Sequence, residues 1–349
     1  MKQLVPMNSL YRLLLPALLS ATLILPLNLM FSEPVFATKG SYAGANGKVA
    51  FIGPDLSGTG YSMILVMNDD GTNIQQITHG DFNVEDLCWS PDGTKLAFTA
   101  YIGPAGRVVW IINADGTGLR QVTTQSVNEN DYQPAWSPDG KKIAYYRRTS
   151  VPQLTDEIYV IDAATTGPGT LLIQDGESPS WSPDGKKIAF LRPSDGNIYV
   201  ADATTGSVLS KLTTNGGTMP CWSPDGTKIV FIRNAKVWVM NADGSNQQQL
   251  TSPPDGMFDI DPNWSPDGRK IVFARVPDSI WIMNADGSGQ RDLTPNMRGA
   301  HVPDYQTIPP RAVGGIVAPA NKLVILSPYL ALAGLIAVAT LVAVKIKIR

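Results

Sequence analysis

Nine acidic residues lie shortly before copies of a repeated tryptophan motif, and they are the side chains best suited to chemistry in this sequence. A cluster of carboxylates can bind a cationic group or a divalent ion such as Ca²⁺, and a carboxylate pair with shifted pKa values can serve a hydrolase or lyase. Solvated loop acids without a ligand are the alternative interpretation. The nine residues are Asp81, Glu85, Asp86, Glu129, Asp131, Glu177, Asp259, Asp261 and Asp304.

Signals of other chemistry are sparse. The sequence has no nucleophile elbow, no HExxH zinc motif and no phosphate-binding P-loop. His79 and His301 are the only histidines, and the Asn-x-Asp-Gly turns lack the spaced carboxylates and final glutamate of a calcium loop. We therefore expect no catalysis, no cofactor and no metal site, with Ca²⁺ kept only as an alternative ligand of the acidic residues.

The central part of the chain is acidic. Residues 41–310 carry 20 basic and 29 acidic side chains, a net charge of −9. A protein that binds nucleic acid needs positive side chains to displace counterions from phosphates. The charge therefore excludes nucleic acid as a partner.

Apolar segments at both ends predict export and a membrane anchor. Leu10–Phe31 is apolar and precedes a small-residue cleavage motif, which is typical of a signal peptide. Leu323–Val344 is uncharged, long enough to span a bilayer and followed by Lys345 and Lys347, so the positive-inside rule leaves the bulk of the chain outside. The prediction is a single-pass protein of the cell membrane with signal peptide 1–37, linker 38–46, extracytoplasmic domain 47–308, stalk 309–322, transmembrane helix 323–344 and cytoplasmic tail 345–349.

The domain consists of repeats. The motif Trp-Ser-Pro-Asp-Gly occurs five times at spacings of 47, 45, 41 and 42 residues, and each copy is followed by two alternating apolar segments and an Asp-rich turn. Four short strands per repeat of this length form one blade of a β-propeller. We expect the motif tryptophans to pack between blades. They are Trp89, Trp136, Trp181, Trp222 and Trp264.

A split blade closes the predicted ring. The segment 47–52 matches the second strand of a blade, and its missing first strand is supplied by 301–308, where Pro303-Asp304-Tyr305 is a degenerate sixth motif. The sequence thus predicts an all-β, six-bladed propeller with four-stranded blades, followed by one transmembrane helix. A proline stands two residues before the aromatic residue in five of six copies, which places this strand at a sheet edge along the central channel.

The two cysteines fit this arrangement as free thiols. Cys88 and Cys221 each directly precede a motif tryptophan, at a position that other copies fill with Ala, Ser, Asn or Asp. They lie half a ring apart, whereas a disulfide needs Cα atoms within about 7 Å. We therefore predict two unpaired, packed cysteines.

The repeated motifs resemble the TolB-like, WD-repeat-related propeller family over residues 47–308. The resemblance implies a non-enzymatic platform for protein interactions in the cell envelope, with an envelope protein as partner. Because a closed ring of blades covers most sheet edges, we expect a monomer. A glycan- or cell-wall-binding module, with Tyr132 exposed, and a hydrolase or lyase using carboxylates at the channel mouth are the alternatives. The expected partner-binding residues are Glu85, Asp86, Asp131, Tyr132, Glu177, Asp259, Asp261, His301 and Asp304.

Overall fold

The computed structural model describes residues 44–80, 82–101, 106–151, 153–277 and 279–309. These residues form six antiparallel sheets of four strands each, as expected for six propeller blades. In each sheet the strand that contains the motif aromatic residue is at the inner edge. The six-bladed architecture predicted from the motif spacing is confirmed.

The first three blades account for the N-terminal half of the ring and for the closing strand. The first blade has the spatial order β24-β1-β2-β3 and contains β1 (Ala45–Pro54), β2 (Ser62–Met67), β3 (Gln75–Gln76) and β24 (His301–Ile308). The second blade contains β4 (Asn83–Trp89), β5 (Lys95–Tyr101), β6 (Arg107–Asn113) and β7 (Arg120–Gln121). The third contains β8 (Glu129–Trp136), β9 (Lys142–Thr149), β10 (Thr155–Asp162) and β11 (Thr170–Gln174).

The remaining three blades follow the same order along the chain. The fourth contains β12 (Glu177–Trp181), β13 (Lys187–Arg192), β14 (Asn197–Asp202) and β15 (Val208–Lys211). The fifth contains β16 (Thr218–Trp222), β17 (Lys228–Arg233), β18 (Lys236–Asn241) and β19 (Gln248–Gln249). The sixth contains β20 (Phe258–Trp264), β21 (Lys270–Val276), β22 (Ser279–Asn284) and β23 (Arg291–Asp292).

The ring closes in the first blade as the sequence predicts. Strand β24 pairs antiparallel with β1, and Tyr305 lies opposite Val49. Tyr305 is fully buried and takes the place that tryptophan has in the other five blades. The closing strand therefore joins the two ends of the propeller by backbone hydrogen bonds and by an aromatic anchor.

The motif tryptophans are buried between blades. Each belongs to a hydrophobic cluster that combines side chains of its own blade and of the preceding blade; Trp136, for example, clusters with Val109 and Ile111 of the second blade. Two of them also donate across the interface, from Trp181 Nε1 to the Ala135 carbonyl at 3.1 Å and from Trp264 Nε1 to the Cys221 carbonyl at 3.3 Å. A buried aromatic area at every interface stabilises the ring.

The Ser-Pro-Asp-Gly sequence forms the turn that follows each tryptophan. In the second blade Ser90 Oγ donates to Asp92 Oδ1 at 2.6 Å and accepts from the Lys95 amide at 2.9 Å. Gly93 has a φ of +65°, and a Cβ there would lie 2.1 Å from the Thr307 carbonyl oxygen of the neighbouring blade. The turn thus needs the hydroxyl, the carboxylate and the glycine that the repeat supplies.

Five of the six inner strands have a β-bulge three residues before the motif aromatic residue. Five non-glycine residues there have φ near +50°, and they are Gln133, Ser178, Met219, Asp261 and Val302. Left-handed backbone costs free energy in such residues. Because the bulge changes the register between the inner and second strands, side chains on its two sides need not follow simple alternation.

Several segments with a predicted role lie outside the described residues. The predicted signal peptide 1–37, transmembrane helix 323–344 and tail 345–349 lie there, as does Asp81. Within the described part of the chain, no helix is long and apolar enough to cross a membrane.

Candidate functional site

The beginnings of the inner strands meet at one end of the central channel, which we call the entry mouth. A cavity there is lined by residues of β4, β8, β20 and β24, and the last three strands contribute a bulge residue and the proline that follows it. Its lining residues are Asp86, Leu87, Gln133, Pro134, Asp261, Pro262, Asn263, Val302 and Pro303. The proline-bearing strand therefore lies at the channel, where it has no further strand to accept a hydrogen bond from it.

Two of the acids considered for the mouth are buried beneath it. Asp131 is fully buried and accepts from Arg147 Nε at 2.7 Å and Nη2 at 3.0 Å. Asp259 is likewise buried and binds Arg275 in the same bidentate way, at 2.7 and 3.1 Å. Each pair joins the inner strand of a blade to its second strand, so these carboxylates are not accessible to a partner.

Asp304 is also inaccessible, because it belongs to a belt of contacts between inner strands. Its Oδ2 accepts from the Trp89 amide at 2.7 Å, and Asn263 Nδ2 donates to its Oδ1. In the same belt the Cys221 thiol donates to Asn263 Oδ1 at 3.1 Å. Both cysteines are buried and unbonded to one another, as predicted. In the first, fifth and sixth blades the residue before the motif aromatic thus ties neighbouring blades together, and it does more than fill space.

At the mouth, two stacked rings lie between two cations, in a row that runs from the second blade into the third. Arg107 lies 5.3 Å from the Tyr132 ring, Tyr132 stacks on Tyr146 with centroids 4.9 Å apart, and Arg148 lies 5.9 Å from the Tyr146 ring. Cation–π and offset ring contacts of this kind hold side chains in fixed positions. We call these four residues the Arg–Tyr stack.

Two predicted carboxylates cap the ends of the Arg–Tyr stack. Glu85 accepts from Arg107 Nε in a short ion pair, and Glu177 accepts from Arg148 Nη2 at 2.8 Å. Burial raises the pKa of Glu177 to about 7, with a further contribution from Asp156, against the opposing charge of Arg148. The structure therefore brings Glu85, Tyr132 and Glu177 into one continuous, partly exposed cluster.

Asp86 lines the channel cavity and has a raised pKa. Its Oδ2 accepts from the Thr99 hydroxyl at 3.0 Å and from the backbone amide of Gln133 in the next blade at 3.2 Å. Burial raises the pKa of Asp86 to about 6 despite the Gln133 amide, and the charges of Asp261 and Glu85 act in the same direction as burial. A carboxyl with this pKa is partly protonated near neutral pH.

The structure does not join His301 to this group. His301 Nδ1 lies 2.8 Å from the carbonyl oxygen of Gly299, at the start of β24 in the first blade. Among the described residues, no three His, Cys, Asp or Glu side chains are arranged so that they could hold one metal ion. Six of the nine predicted residues therefore remain accessible or channel-lining, and three of those six belong to the stack cluster.

Several residues of the mouth were not found by sequence reasoning. Arg107 and Arg148 form the two ends of the stack, yet neither lies near the tryptophan motif. The sequence contains a signal that covers Arg148 but not Arg107, because Arg148 follows Tyr146 by two residues. The same spacing from an aromatic residue to arginine recurs in the second strand of four blades: Tyr145 to Arg147, Phe190 to Arg192, Phe231 to Arg233 and Phe273 to Arg275. In each the guanidinium lies within 6.0 Å of that ring.

The arrangement defines a six-bladed β-propeller with a charged channel mouth. A family model described as the TolB beta propeller domain matches residues 37–305. The chain belongs to this family.

Known proteins similar to this chain share the fold at low identity. TolB from Acinetobacter baumannii is 21% identical with a TM-score of 0.64, and the match covers 77% of this chain and 68% of that one. The putative TolB from Agrobacterium tumefaciens is 22% identical with a TM-score of 0.55, over 73% and 91%. Dipeptidyl-peptidase 5 of Porphyromonas gingivalis is 40% identical over 68 residues, which are 18% of this chain and 10% of the relative.

Proposed function

We propose that this protein is a non-enzymatic interaction platform, anchored in the cell membrane by the segment 323–344 with its propeller on the extracytoplasmic side. The entry mouth binds a protein of the cell envelope. The observation that carries this proposal is the stack cluster, in which Glu85, Tyr132 and Glu177 come from three different blades yet form one fixed surface. Membership of the TolB beta propeller family supports the same reading.

The charge of the mouth indicates the chemistry of the partner. Glu85 and Glu177 are each partly exposed at the ends of the stack, and Asp86 and Asp261 line the channel behind them. The domain as a whole has an excess of acids. A partner segment with lysine or arginine side chains would be attracted to this surface and could form charge-assisted hydrogen bonds with it.

The stack geometry argues against a glycan as the ligand. A sugar ring binds by stacking on an open aromatic face. Arg107 lies over the Tyr132 ring, and Tyr146 stacks on it. Tyr146 is in turn buried. The ring that the glycan-binding alternative requires is therefore occupied within the protein.

Site-directed capture from native membranes tests the platform. The tagged full-length chain is crosslinked in membranes and its partners are identified by mass spectrometry, in parallel with the variant Glu85→Gln/Asp86→Asn. The control variant Asp115→Asn/Asp243→Asn removes the same charge from exposed turns at the opposite end of the blades.

The expected result is one envelope protein captured by the wild-type and control chains and lost by the mouth variant. Equal capture by all three chains would place the interface elsewhere on the propeller. No captured protein, together with retention of the chain on purified cell wall, would favour the glycan-binding module instead.

A hydrolase or lyase is the second candidate function, because Asp86 has the raised pKa expected of a general acid and Asp261 lines the same cavity. Assays of new reducing ends and unsaturated products from envelope polysaccharides would test it. Activity in the wild-type chain that disappears in Asp86→Asn would establish catalysis and overturn the platform as the primary role.

A further inference from the structure

The hairpin between β17 and β18 in the fifth blade places two cations side by side. Arg233 ends β17, Lys236 begins β18, and the two residues pair directly across the hairpin. The connecting residues Asn234 and Ala235 have φ values of +50° and +59°, which define a tight two-residue turn. Like charges placed directly opposite one another destabilise a strand pair, so the arrangement needs an explanation.

Neither cation is neutralised within the described part of the chain. No ion pair is formed by Arg233 or Lys236 there. Arg233 donates from Nε and Nη2 to the Gly216 carbonyl oxygen at 3.0 and 2.9 Å, which leaves Nη1 and one proton of Nη2 for another acceptor. Burial without a compensating acid lowers the pKa of Arg233.

The rings beneath Arg233 fix the direction of its guanidinium. The group lies 5.0 Å from the Phe231 ring and 5.1 Å from the Trp238 ring. Such contacts hold the cation in place before any ligand binds, which reduces the entropy lost on binding.

Comparison with the third blade shows what this position can hold. There the equivalent Arg147 pairs with Asp131 of the inner strand on one side and with Glu157 of β10 on the other. In the fifth blade Thr218 pairs with Ile232, so Gly217 takes the place of the aspartate, and Lys236 takes the place of the glutamate. Compared with the third blade, the fifth blade thus has no acid beside its arginine on the inner strand, and it has a base in place of the acid on the third strand.

We propose that Arg233 and Lys236 form a carboxylate-binding site at the entry mouth, which takes an acidic side chain or a free C-terminus of a peptide ligand. The choice of carboxylate follows from the molecule itself, because Arg147 and Arg275 each bind a carboxylate with two hydrogen bonds of 2.7–3.1 Å. A planar guanidinium matches that group well, and the ammonium of Lys236 adds a second donor.

This site is distinct from the Arg–Tyr stack and does not rest on the proposed function. The stack and its capping carboxylates use residues of the second, third and fourth blades. The acids Asp86 and Asp261 of the channel would attract a cation there. The hairpin belongs to the fifth blade and attracts an anion. Failure of one site in the experiments therefore leaves the other unaffected.

Binding of a labelled tetraglutamate peptide to the full-length chain in detergent tests the site, with tetraglutamine as the neutral probe. Fluorescence anisotropy gives the dissociation constant. The variants are Arg233→Gln and Lys236→Glu. The second of these restores an acid opposite the arginine, as Glu157 stands opposite Arg147. Lys186→Gln is the matched control, because this exposed lysine lies at the opposite end of the fourth blade.

We expect saturable binding of tetraglutamate that weakens about tenfold or more in both variants, corresponding to the loss of a charge-assisted contact. Lys186→Gln should bind like the wild type, and tetraglutamine should not bind. Lys236→Glu should unfold at no lower temperature than the wild type, which separates loss of the site from loss of the fold.

Three results would overturn the inference. The first is no saturable binding of tetraglutamate by the wild-type chain. The second is an equal loss of affinity in Lys186→Gln, which would indicate only general charge attraction. The third is displacement of the peptide by inorganic phosphate more effectively than by acetate, which would assign the site to phosphate.

Discussion

Replacing Arg147 by methionine is expected to destabilise the propeller by about 3–5 kcal/mol, the usual cost of removing one partner from a buried ion pair. Asp131 is 0% exposed and Arg147 is 3% exposed, so water cannot take over the role of the lost guanidinium. Burial disfavours the charged arginine, but its hydrogen bonds to Asp131 outweigh burial and raise the pKa of Arg147 above its ordinary value. Methionine keeps most of the apolar stem of arginine, so the loss of stability reports the removal of the guanidinium charge and its hydrogen bonds.

Removing both charges together should restore most of that stability. The second blade has Val84 and Ala100 paired at the equivalent positions, which shows that the fold accepts an apolar pair there. The variant Asp131→Val/Arg147→Met is therefore expected to lie within about 2 kcal/mol of the wild type, since apolar replacement of a buried pair is often nearly neutral. The remaining loss includes the bond from Arg147 to the Thr124 carbonyl.

Denaturant unfolding followed by tryptophan fluorescence measures these differences, and thermal unfolding should show a fall of about 6–20 °C for the single variant. Arg192→Met is the matched control. Arg192 occupies the same position in the fourth blade, but its carboxylate neighbour Asp175 lies 3.8 Å away and is 39% exposed. Its loss should cost about 1 kcal/mol or less. Equal losses for Arg147→Met and Arg192→Met, or no recovery in the double variant, would refute the reasoning.

Three further predictions concern the channel, the closing strand and the thiols. The folded-state pKa of Asp86 is raised, so its contribution to stability is complete below pH 3.8 and is lost as the pH rises through about 6. The variant Asp86→Asn should therefore show a smaller decline of Tm over this pH range. An unchanged slope of Tm against pH would contradict the raised pKa. Tyr305 Oη is buried without a hydrogen-bond partner among the described residues, so Tyr305→Phe should raise stability by about 1 kcal/mol in denaturant unfolding. Cys88 and Cys221 should react with a thiol reagent only after unfolding, and prompt reaction of the native chain would show that they are accessible.

The architecture could be predicted because every blade repeats the same local signals. Each tryptophan motif supplies an aromatic anchor, a turn and the start of an alternating strand, and the spacing sets the blade length. The closing blade was predicted from what the N-terminal repeat lacks, namely its inner strand, and β24 provides it. Local rules suffice here because each blade contacts mainly its neighbours.

The fate of individual acids could not be predicted in this way. Asp259 and Asp261 are two residues apart on one strand, so regular alternation would put them on the same face. Asp259 is nevertheless buried against Arg275, whereas Asp261 lies at the bulge with a φ of +50° and lines the channel. The register shift between Ile260 and Asn263 decides the difference, and no residue type in the motif signals it.

The fourth and fifth blades have glycine at the position where the third and sixth blades have Asp131 and Asp259, and neighbouring side chains fill the space beside each glycine. A Cβ on Gly176 would lie 2.9 Å from Ile158 Cδ1, and a Cβ on Gly217 would lie 2.9 Å from Ile198 Cδ1. The strand register gives Val109 the position equivalent to Ile158, in the blade that precedes Asp131. It gives Val237 the position equivalent to Ile198, in the blade that precedes Asp259. Each valine is one methylene smaller than the isoleucine.

Volume lost at one residue is therefore matched by volume gained at its neighbour. A blade that had merely lost its acid would be expected to leave a cavity beside the arginine, with the instability that cavities bring. The fifth blade instead has a filled core beneath a cation that no acid of the described chain neutralises. Its packing holds Arg233 in place, and its charge is left for a ligand.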